Sequence, residues 1–315
     1  MIANMQNLSF TENYNVAAYI TAYEDPEAVR LCVEAINSQS FPVQKILIVD
    51  NSHQKPISGL DGNNAIIKYC PENIGIALGL SWAITWAIEQ DYDFLWAFDQ
   101  DSIIETECLI KLLSIYKNHQ KDNYLIGIIA PTAVDLRNNQ IIEGAIFQRD
   151  RFVGCKASNE VQPYECDSPI TSGSLISIRA AKTISPPIAE LFIDGVDLDY
   201  GLRLVQKGFH NLIVPDAIMH HNFGNPIKAK FFSRELTVQK YSALRHYYIC
   251  RNHTYLSIRY AQRWYSLTSC MRRMKYMIYS IVLIWLYDSE HKALKTWACI
   301  LGTCHGLIGR LGKIW

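Results

Sequence analysis

Hydrophobic and polar positions along the first hundred residues follow two alternating rhythms. Val16–Thr21 is an apolar run ended by a threonine, the pattern of a strand buried on both faces. Asp25-Pro26 supplies an N-cap and a first-turn proline, and Val29, Cys32, Val33 and Ile36 then recur at helical spacing. Lys45–Asp50 (KILIVD) is a second strand that ends on an acid, and Ala65–Tyr69 is a shorter third. Asn73–Gly79 leads into a helix whose apolar face is Leu80, Ile84, Ala87 and Ile88. Phe94–Phe98 is a fourth strand, running straight into Asp99-Gln-Asp-Ser102. Strands alternating with helices define an α/β layered domain. In open sheets of this kind ligands sit at the carboxyl ends of the strands, which predicts that Thr21, Asp50 and Asp99 face one cleft.

Further along the rhythm changes. Residues 131–170 read as loop and hairpin with a turn at Asn138-Asn139, Leu175–Ile178 as a strand, and about 194–207 as a helix closed by Gly208. Leu212–Val214 is strand-like, and beyond Pro226 the pattern becomes aromatic and basic helices through to the C-terminus. The chain therefore divides into residues 1–227 and a helical region 228–315.

Composition alters this picture in one place. Over 315 residues the net charge is zero, yet eleven Lys or Arg face the single acid Glu235 between Lys228 and Lys275. That excess of ten, with two more in 276–315, leaves minus twelve on residues 1–227. The basic stretch is interleaved with Tyr241, Tyr247, Tyr248, Tyr255, Tyr260, Trp264 and Tyr265, which points to an anionic partner. Met1–Phe10 has no charged-then-apolar pattern, so no secretion is expected. Nine cysteines without a CxxC pair read as reduced thiols, most of them small core residues, and no zinc pattern appears.

Asp99 and Asp101, two carboxylates two residues apart just past a buried strand, can hold one hard divalent cation and leave positions for phosphate oxygens and water. A polar turn with Ser102 is the plain alternative. Asp50, followed by Asn51 and Ser52, can accept from the imide N–H of a uracil or thymine base or from ribose hydroxyls; an Asx-turn accounts for it equally. Asn73 and Gly75 allow close backbone approach to a nucleotide or simply start a helix. In Phe192–Arg203 three acids fall within six positions. Asp194 and Asp197 fit an N-cap and N3 pair, and Asp199 with Arg203 fits a surface ion pair. A carboxylate at a helix N-terminus stays ionised at neutral pH, which suits Asp197 to general-base work. His221, beside a carboxylate site, is a candidate third ligand of the kind Mn²⁺ accepts.

Together these pieces resemble the family 2 inverting glycosyltransferases, most closely their bacterial rhamnosyltransferase branch, over about residues 15–255. The pieces are Thr21-Ala-Tyr23, Ile-Val-Asp-Asn-Ser52, Asn-Ile-Gly75, Phe-Asp-Gln-Asp-Ser102, Thr-Ser-Gly-Ser174, Phe192–Arg203, His-Asn-Phe-Gly224 and Tyr-Tyr-Ile-Cys-Arg-Asn252, in that order. The resemblance implies a GT-A fold: a Rossmann-like nucleotide-binding half at about 15–130, an acceptor-binding half at about 131–227, and a C-terminal helical extension. It implies that Thr21, Tyr23, Asp50, Asn51, Asn73, Gly75, Asp99 and Gln100 hold the donor. Asp99, Asp101 and His221 would hold Mg²⁺ or Mn²⁺, and Asp197 would be the base. Many relatives carry an acid directly before the catalytic one, where this chain has Val196, so Asp194 competes for that role.

The implied reaction moves a sugar, with dTDP-β-L-rhamnose favoured over UDP sugars, onto a glycan or polyprenyl-diphosphate-linked acceptor. Its expected place is the cytoplasmic face of the cell membrane, with no nucleic acid involved. Tyr276–Tyr287 (YMIYSIVLIWLY) carries no charge. As a helix it would span about 18 Å, at 1.5 Å per residue. That falls short of the roughly 30 Å hydrocarbon core, so it is expected to lie on an anionic membrane without crossing it, or else to form a buried core helix. Two rival functions are weaker. A nucleotidyltransferase would need a Gly-rich basic loop after its first strand, where this chain has Ala22–Pro26, and a glycan-binding scaffold would need none of these acids.

Overall fold

The computed structural model describes residues 14–60, 64–120, 124–156, 162–222, 224, 226–231 and 234–315. The expectation for Met1–Phe10 falls outside them. Val16–Ala22 (β1), Pro26–Asn37 (α1), Lys45–Asp50 (β2), Ala65–Tyr69 (β3), Gly75–Glu89 (α2) and Phe94–Asp99 (β4) appear in the expected order. Asp25 caps α1 by accepting from the Ala28 N–H at 3.1 Å, and Val29, Cys32, Val33 and Ile36 are all buried. β3, β2, β1 and β4 are sheet neighbours in that order and run parallel. The register sets Thr21 beside Asp99 on one side, and Ala22 beside Asp50 on the other. Strand order reverses at β1, which opens the carboxyl-edge crevice between β1 and β4.

The sheet continues through Ile103–Ile104 (β5), Cys108–Gln120 (α3), Ile126–Asp135 (β6) and Ile141–Ile142 (β7). Next come the hairpin Gly144–Gln148 (β8) and Arg151–Cys155 (β9), then Tyr164–Glu165 (β10), Leu175–Ser177 (β11) and the short helix Ile178–Ala181 (α4). Val196–Gln206 (α5) and His210–His221 (β12) complete this part. β11 is antiparallel to both β4 and β6, whereas β12 runs parallel to β6. Pro131–Asp135, read from sequence as loop, is instead the second half of the central strand β6. Pro131 pairs with Val214 where β12 is irregular, so its missing N–H leaves no gap in a regular ladder.

Three other expectations need correction. The helix expected from 194 starts at Val196: its N-cap is Gly195, at φ 76° and without a side-chain bond, and Asp194 lies outside it at φ 61°. The Asp194–Asp197 capping pair therefore does not form. Asp199 and Arg203 do pair, at 2.7 Å, but not on the surface: Asp199 is fully buried and also accepts from Tyr260 Oη at 2.6 Å. Finally, the stretch after Pro226 opens as an antiparallel hairpin, Pro226–Phe231 (β13) and Arg234–Gln239 (β14), before any helix. Residues 226–231 (PIKAKF) alternate in period two, and this local pattern outweighs the basic composition.

Ala243–Tyr260 (α6), Tyr265–Tyr287 (α7) and Lys292–Leu307 (α8) follow. α8 lies hard against α6 because Gly302 and Gly306 leave no Cβ to overlap the carbonyls of Tyr247 and Arg251. Arg251 is buried, donating to the carbonyls of Glu190, Leu191 and Gly312. Arg272 pairs with Asp150 at 2.8 Å, and Arg273 sits over the Tyr276 ring. Of this basic stretch Arg251 is thus spent inside the protein and Arg273 is partly covered, while Arg259, Arg263, Arg272 and Lys275 stay exposed. Tyr276–Tyr287 is no enclosed core helix: Leu267, Met271, Met274, Ile278, Val282 and Trp285 form an exposed stripe along α7. Among the described residues no helix is long and apolar enough to cross a membrane. All nine cysteines are free and seven are buried, as expected of core thiols.

Candidate active site

A cavity of about 340 Å³ opens at the carboxyl edge of the sheet, walled by Asp99, Asp101, Asp194, Asp197, His221 and Arg245 among others. Five of these six come from the sequence reading, and strand geometry explains why they meet. Asp99 ends β4, and Asp101 follows in the turn. His221 ends β12, which reaches the same edge through β6.

His221 joins the two acids. Its Nδ1 is 3.2 Å from Asp101 Oδ1 and its Nε2 is 3.9 Å from Asp99 Oδ2. Ser102 Oγ lies 3.1 Å from the same Nδ1 and 2.6 Å from Ser172 Oγ. Burial by itself would lower the His221 pKa, but the hydrogen bond to Asp101 and the charge of Asp99 raise it above the ordinary histidine value. Ser172 Oγ also accepts the Asp99 N–H at 3.0 Å, which fixes where the strand ends.

Asp194 and Asp197 face this cluster from the start of α5. The loop before the helix is unusual, with Phe192 at φ 64° and Asp194 at φ 61°. Asn252 holds it, donating to the carbonyls of Leu191, Ile193 and Asp194 at 2.9, 2.6 and 2.8 Å. Asp197 is the second residue of α5, and its Oδ1 accepts the Leu198 N–H at 2.9 Å. Burial, with the nearby charges of Asp194 and Asp99, pushes its carboxyl up to about 6, higher than the helix terminus alone would leave it. Asp194 is raised by burial too, although Arg245 Nε lies 3.6 Å from its Oδ2 and acts in the opposite direction.

The other sequence-predicted residues are not among the lining of this cavity. Tyr23 and Gln100 lock together: Gln100 Oε1 accepts the Tyr23 N–H at 2.6 Å, and Gln100 Nε2 donates to Tyr23 O at 3.1 Å. Thr21 is buried between Val49 and Asp99 in the sheet. Asp50 is fully buried, and its two oxygens accept the Ser52 and Ile57 N–H groups at 3.0 and 2.8 Å. Its carboxylate shapes the 50–57 loop. Asn51 accepts the Ile74 N–H at 2.9 Å, and Asn73 accepts the Gly75 N–H at 3.1 Å. Gly75, at φ 78°, is glycine because a Cβ there would run into the ring and carbonyl of Phe192.

Arg245 was not legible as a site residue. It belongs to the first turn of α6, where the helix dipole disfavours a cation. Ser172, in Thr171–Ser174, bonds both the Asp99 N–H and Ser102 Oγ, a role that no local pattern in the sequence signals. Asp99, Asp101 and His221 offer two carboxylates and an imidazole, a donor set that suits Mg²⁺ or Mn²⁺. Among the described residues no three His, Cys, Asp or Glu side chains converge as a ready-made ligand cage. The acids fit a cation whose remaining positions are filled by phosphate oxygens and water.

A sheet whose β3-β2-β1-β4 part is parallel, with acids gathered at its carboxyl edge, suits an enzyme that handles phosphate-bearing substrates. Residues 18–182, more than half of the chain, match the model of glycosyl transferase family 2, and the protein belongs to that family. It has the GT-A fold followed by a helical C-terminal part. It is 27% identical over 245 residues to the dTDP-rhamnosyl transferase RfbF of Shigella flexneri, covering 76% of this chain and 79% of that one. Among solved structures, TarS 1–349 of S. aureus is similar with a TM-score of 0.54 at 11% identity, covering 94% of this chain and 82% of that one. GalNAc-T7, solved with UDP, GalNAc and Mn²⁺, aligns with a TM-score of 0.52 at 12% identity, covering 90% of this chain and 55% of that one.

Proposed function

We propose that the protein is a metal-dependent inverting glycosyltransferase that moves L-rhamnose from dTDP-β-L-rhamnose onto a glycan or lipid-linked acceptor. The observation that carries this reading is the convergence of Asp99, Asp101, Asp194, Asp197 and His221 on one cavity. The rhamnose donor is supported by the similarity to RfbF.

In this reading Asp99 and Asp101, with His221 beside them, hold Mg²⁺ or Mn²⁺. That cation neutralises charge on the departing nucleotide diphosphate. Thr21, Tyr23, Asn51, Asn73, Gly75 and Gln100 frame the nucleotide end of the crevice, and Asp50 keeps the 50–57 loop in shape beneath it. Asp197 takes the proton of the acceptor hydroxyl as that oxygen attacks the anomeric carbon and the bond to the diphosphate breaks. Attack from the face opposite the leaving group inverts the anomeric centre. Asp194 competes for the base, but its pairing with Arg245 ties its carboxylate to a cation and favours Asp197.

A membrane-surface location is supported by the exposed apolar stripe of α7. Such a stripe, flanked by exposed Arg263 and Lys275, suits a helix lying in the interface of an anionic cytoplasmic leaflet, where a polyprenyl-diphosphate acceptor would also sit.

The test is a thermal-shift panel of dTDP-rhamnose, UDP sugars and the free nucleotides, with and without Mn²⁺, followed by NMR of the first-formed sugar anomer during donor turnover. Stabilisation by dTDP-rhamnose only with metal, and release of the α-anomer first, are expected. Tight binding of a UDP sugar with no response to dTDP would overturn the donor assignment.

A further inference from the structure

A second cleft, of about 180 Å³, lies between the end of β14, the first turns of α6 and the inner side of α7. Its walls include Gln239, Tyr241, His246, Tyr276, Tyr279 and Asp288. Three features set it apart from a packing defect. The first is Gln239 Oε1, which is buried with no hydrogen-bond partner among the described residues. A buried amide oxygen without a partner is costly, and a turn of the side chain toward the cleft would let a ligand hydroxyl relieve it. The second is His246, where burial and the neighbouring Lys295 push the imidazole down to about 4. It is therefore neutral at physiological pH and able both to donate and to accept. The third is aromatic: Tyr241, Tyr276 and Tyr279 border the space with flat apolar faces and polar edges.

These are the complementary parts of a sugar ring. A pyranose presents an apolar C–H face to an aromatic ring and a rim of hydroxyls to amide and imidazole groups. Asp288 is already held by Lys295 and the Glu290 N–H, so the groups left for a ligand are Gln239 and His246. A hydrocarbon tail would fit worse, because it offers neither of them a hydrogen bond.

The cleft also adjoins the catalytic cavity. Gly224 lines that cavity, and a Cβ on it would lie 2.6 Å from Gln239 Oε1. The Arg245 guanidinium, on the wall of the catalytic cavity, sits 5.0 Å from the centre of the Tyr241 ring. Gln239 and Tyr241 thus form a shared partition between the two spaces.

We propose that this cleft is a second sugar-binding subsite, which holds a neutral pyranose unit of the acceptor next to the unit being glycosylated. The proposal rests on the transferase reading for its role, but not for its chemistry. Acceptor specificity would then be set partly by the hairpin and α7, outside the family-matched residues 18–182.

Saturation-transfer NMR tests it on the full-length protein, with dTDP and Mn²⁺ occupying the catalytic site. The probes are methyl α-L-rhamnopyranoside, methyl β-D-N-acetylglucosaminide and methyl α-D-glucopyranoside. At least one should bind with a Kd on the order of millimolar and weaken roughly tenfold in Tyr279→Ala and in Gln239→Leu. Tyr279 is half exposed, so its truncation spares the fold, and melting temperature and donor hydrolysis should stay at wild-type values in that variant. Saturation transfer to none of the three glycosides, an unchanged signal in both variants, or transfer to octanol but to no glycoside would each overturn the proposal. Failure of the transferase reading shows separately, as absence of dTDP binding and donor hydrolysis in the wild type.

Discussion

The side-chain amide of Asn252 donates to the main-chain carbonyl of Asp194 at 2.8 Å. The same nitrogen reaches Leu191 and Ile193, so one buried residue of α6 gathers three carbonyls of the loop that presents both candidate bases. Left-handed conformations at Phe192 and Asp194 cost of order 1–3 kcal/mol each and persist only when their surroundings enforce them. Asn252→Ala should therefore lower kcat by about tenfold or more and reduce the melting temperature, while dTDP affinity measured by calorimetry changes little. Wild-type turnover in that variant would mean that the loop holds its own shape.

Asp101→Ala should remove the dependence of donor binding on Mn²⁺, and His221→Ala should weaken it less. Calorimetric titration of dTDP with and without the metal reads both. Full metal dependence retained in Asp101→Ala would show the cation site to be misassigned.

Asp197→Asn is nearly isosteric and should keep donor affinity while lowering turnover by about 10²-fold or more. If Asp194→Asn produces that profile instead and Asp197→Asn stays active, the two roles are exchanged.

The raised Asp197 carboxyl predicts a pH profile with a definite sign. The base form is populated above about 6, so kcat/KM should rise with unit slope below that value and level off above it. Stability runs the other way. The folded state holds this proton more tightly than the unfolded chain, so the group destabilises the fold as pH climbs from about 4 to 6. The melting temperature of Asp197→Asn relative to wild type should accordingly increase across that window. A flat difference would indicate an ordinary carboxyl.

The α7 stripe predicts salt-sensitive association with anionic vesicles. The protein should pellet with phosphatidylglycerol-containing liposomes at low salt and come off at high salt, and Ile278→Ser with Trp285→Ser should abolish pelleting without lowering donor hydrolysis. A need for detergent at every salt concentration would indicate insertion, and no binding at all would leave the stripe for another partner.

Local sequence by itself determined the nucleotide-side half of the fold. The bounds of β2 and β3 match the patterns read from residues 45–50 and 65–69, and β1 and β4 differ from theirs by one residue. Short apolar runs between turn residues leave the backbone little choice, and a carboxylate at the end of such a run must face the sheet edge. Hence the place of Asp99 and Asp101 at the sheet edge was legible in the local pattern, whereas His221 was a candidate only through its proximity to them. Tertiary structure decided what depends on partners far along the chain. Asn252 sets where α5 begins by bonding residues 58 to 61 positions away, so the cap pattern at Asp194 misled. Arg245 reaches the site from the first turn of α6, and Arg251 is buried under α8, yet in the sequence both belong to one basic stretch. Composition reports how many charges a segment carries, whereas only packing decides which of them water keeps. The same holds for α7: its apolar positions are evident in the sequence, but the covers supplied by α6 and α8 decide that the stripe from Leu267 to Trp285 stays in the open.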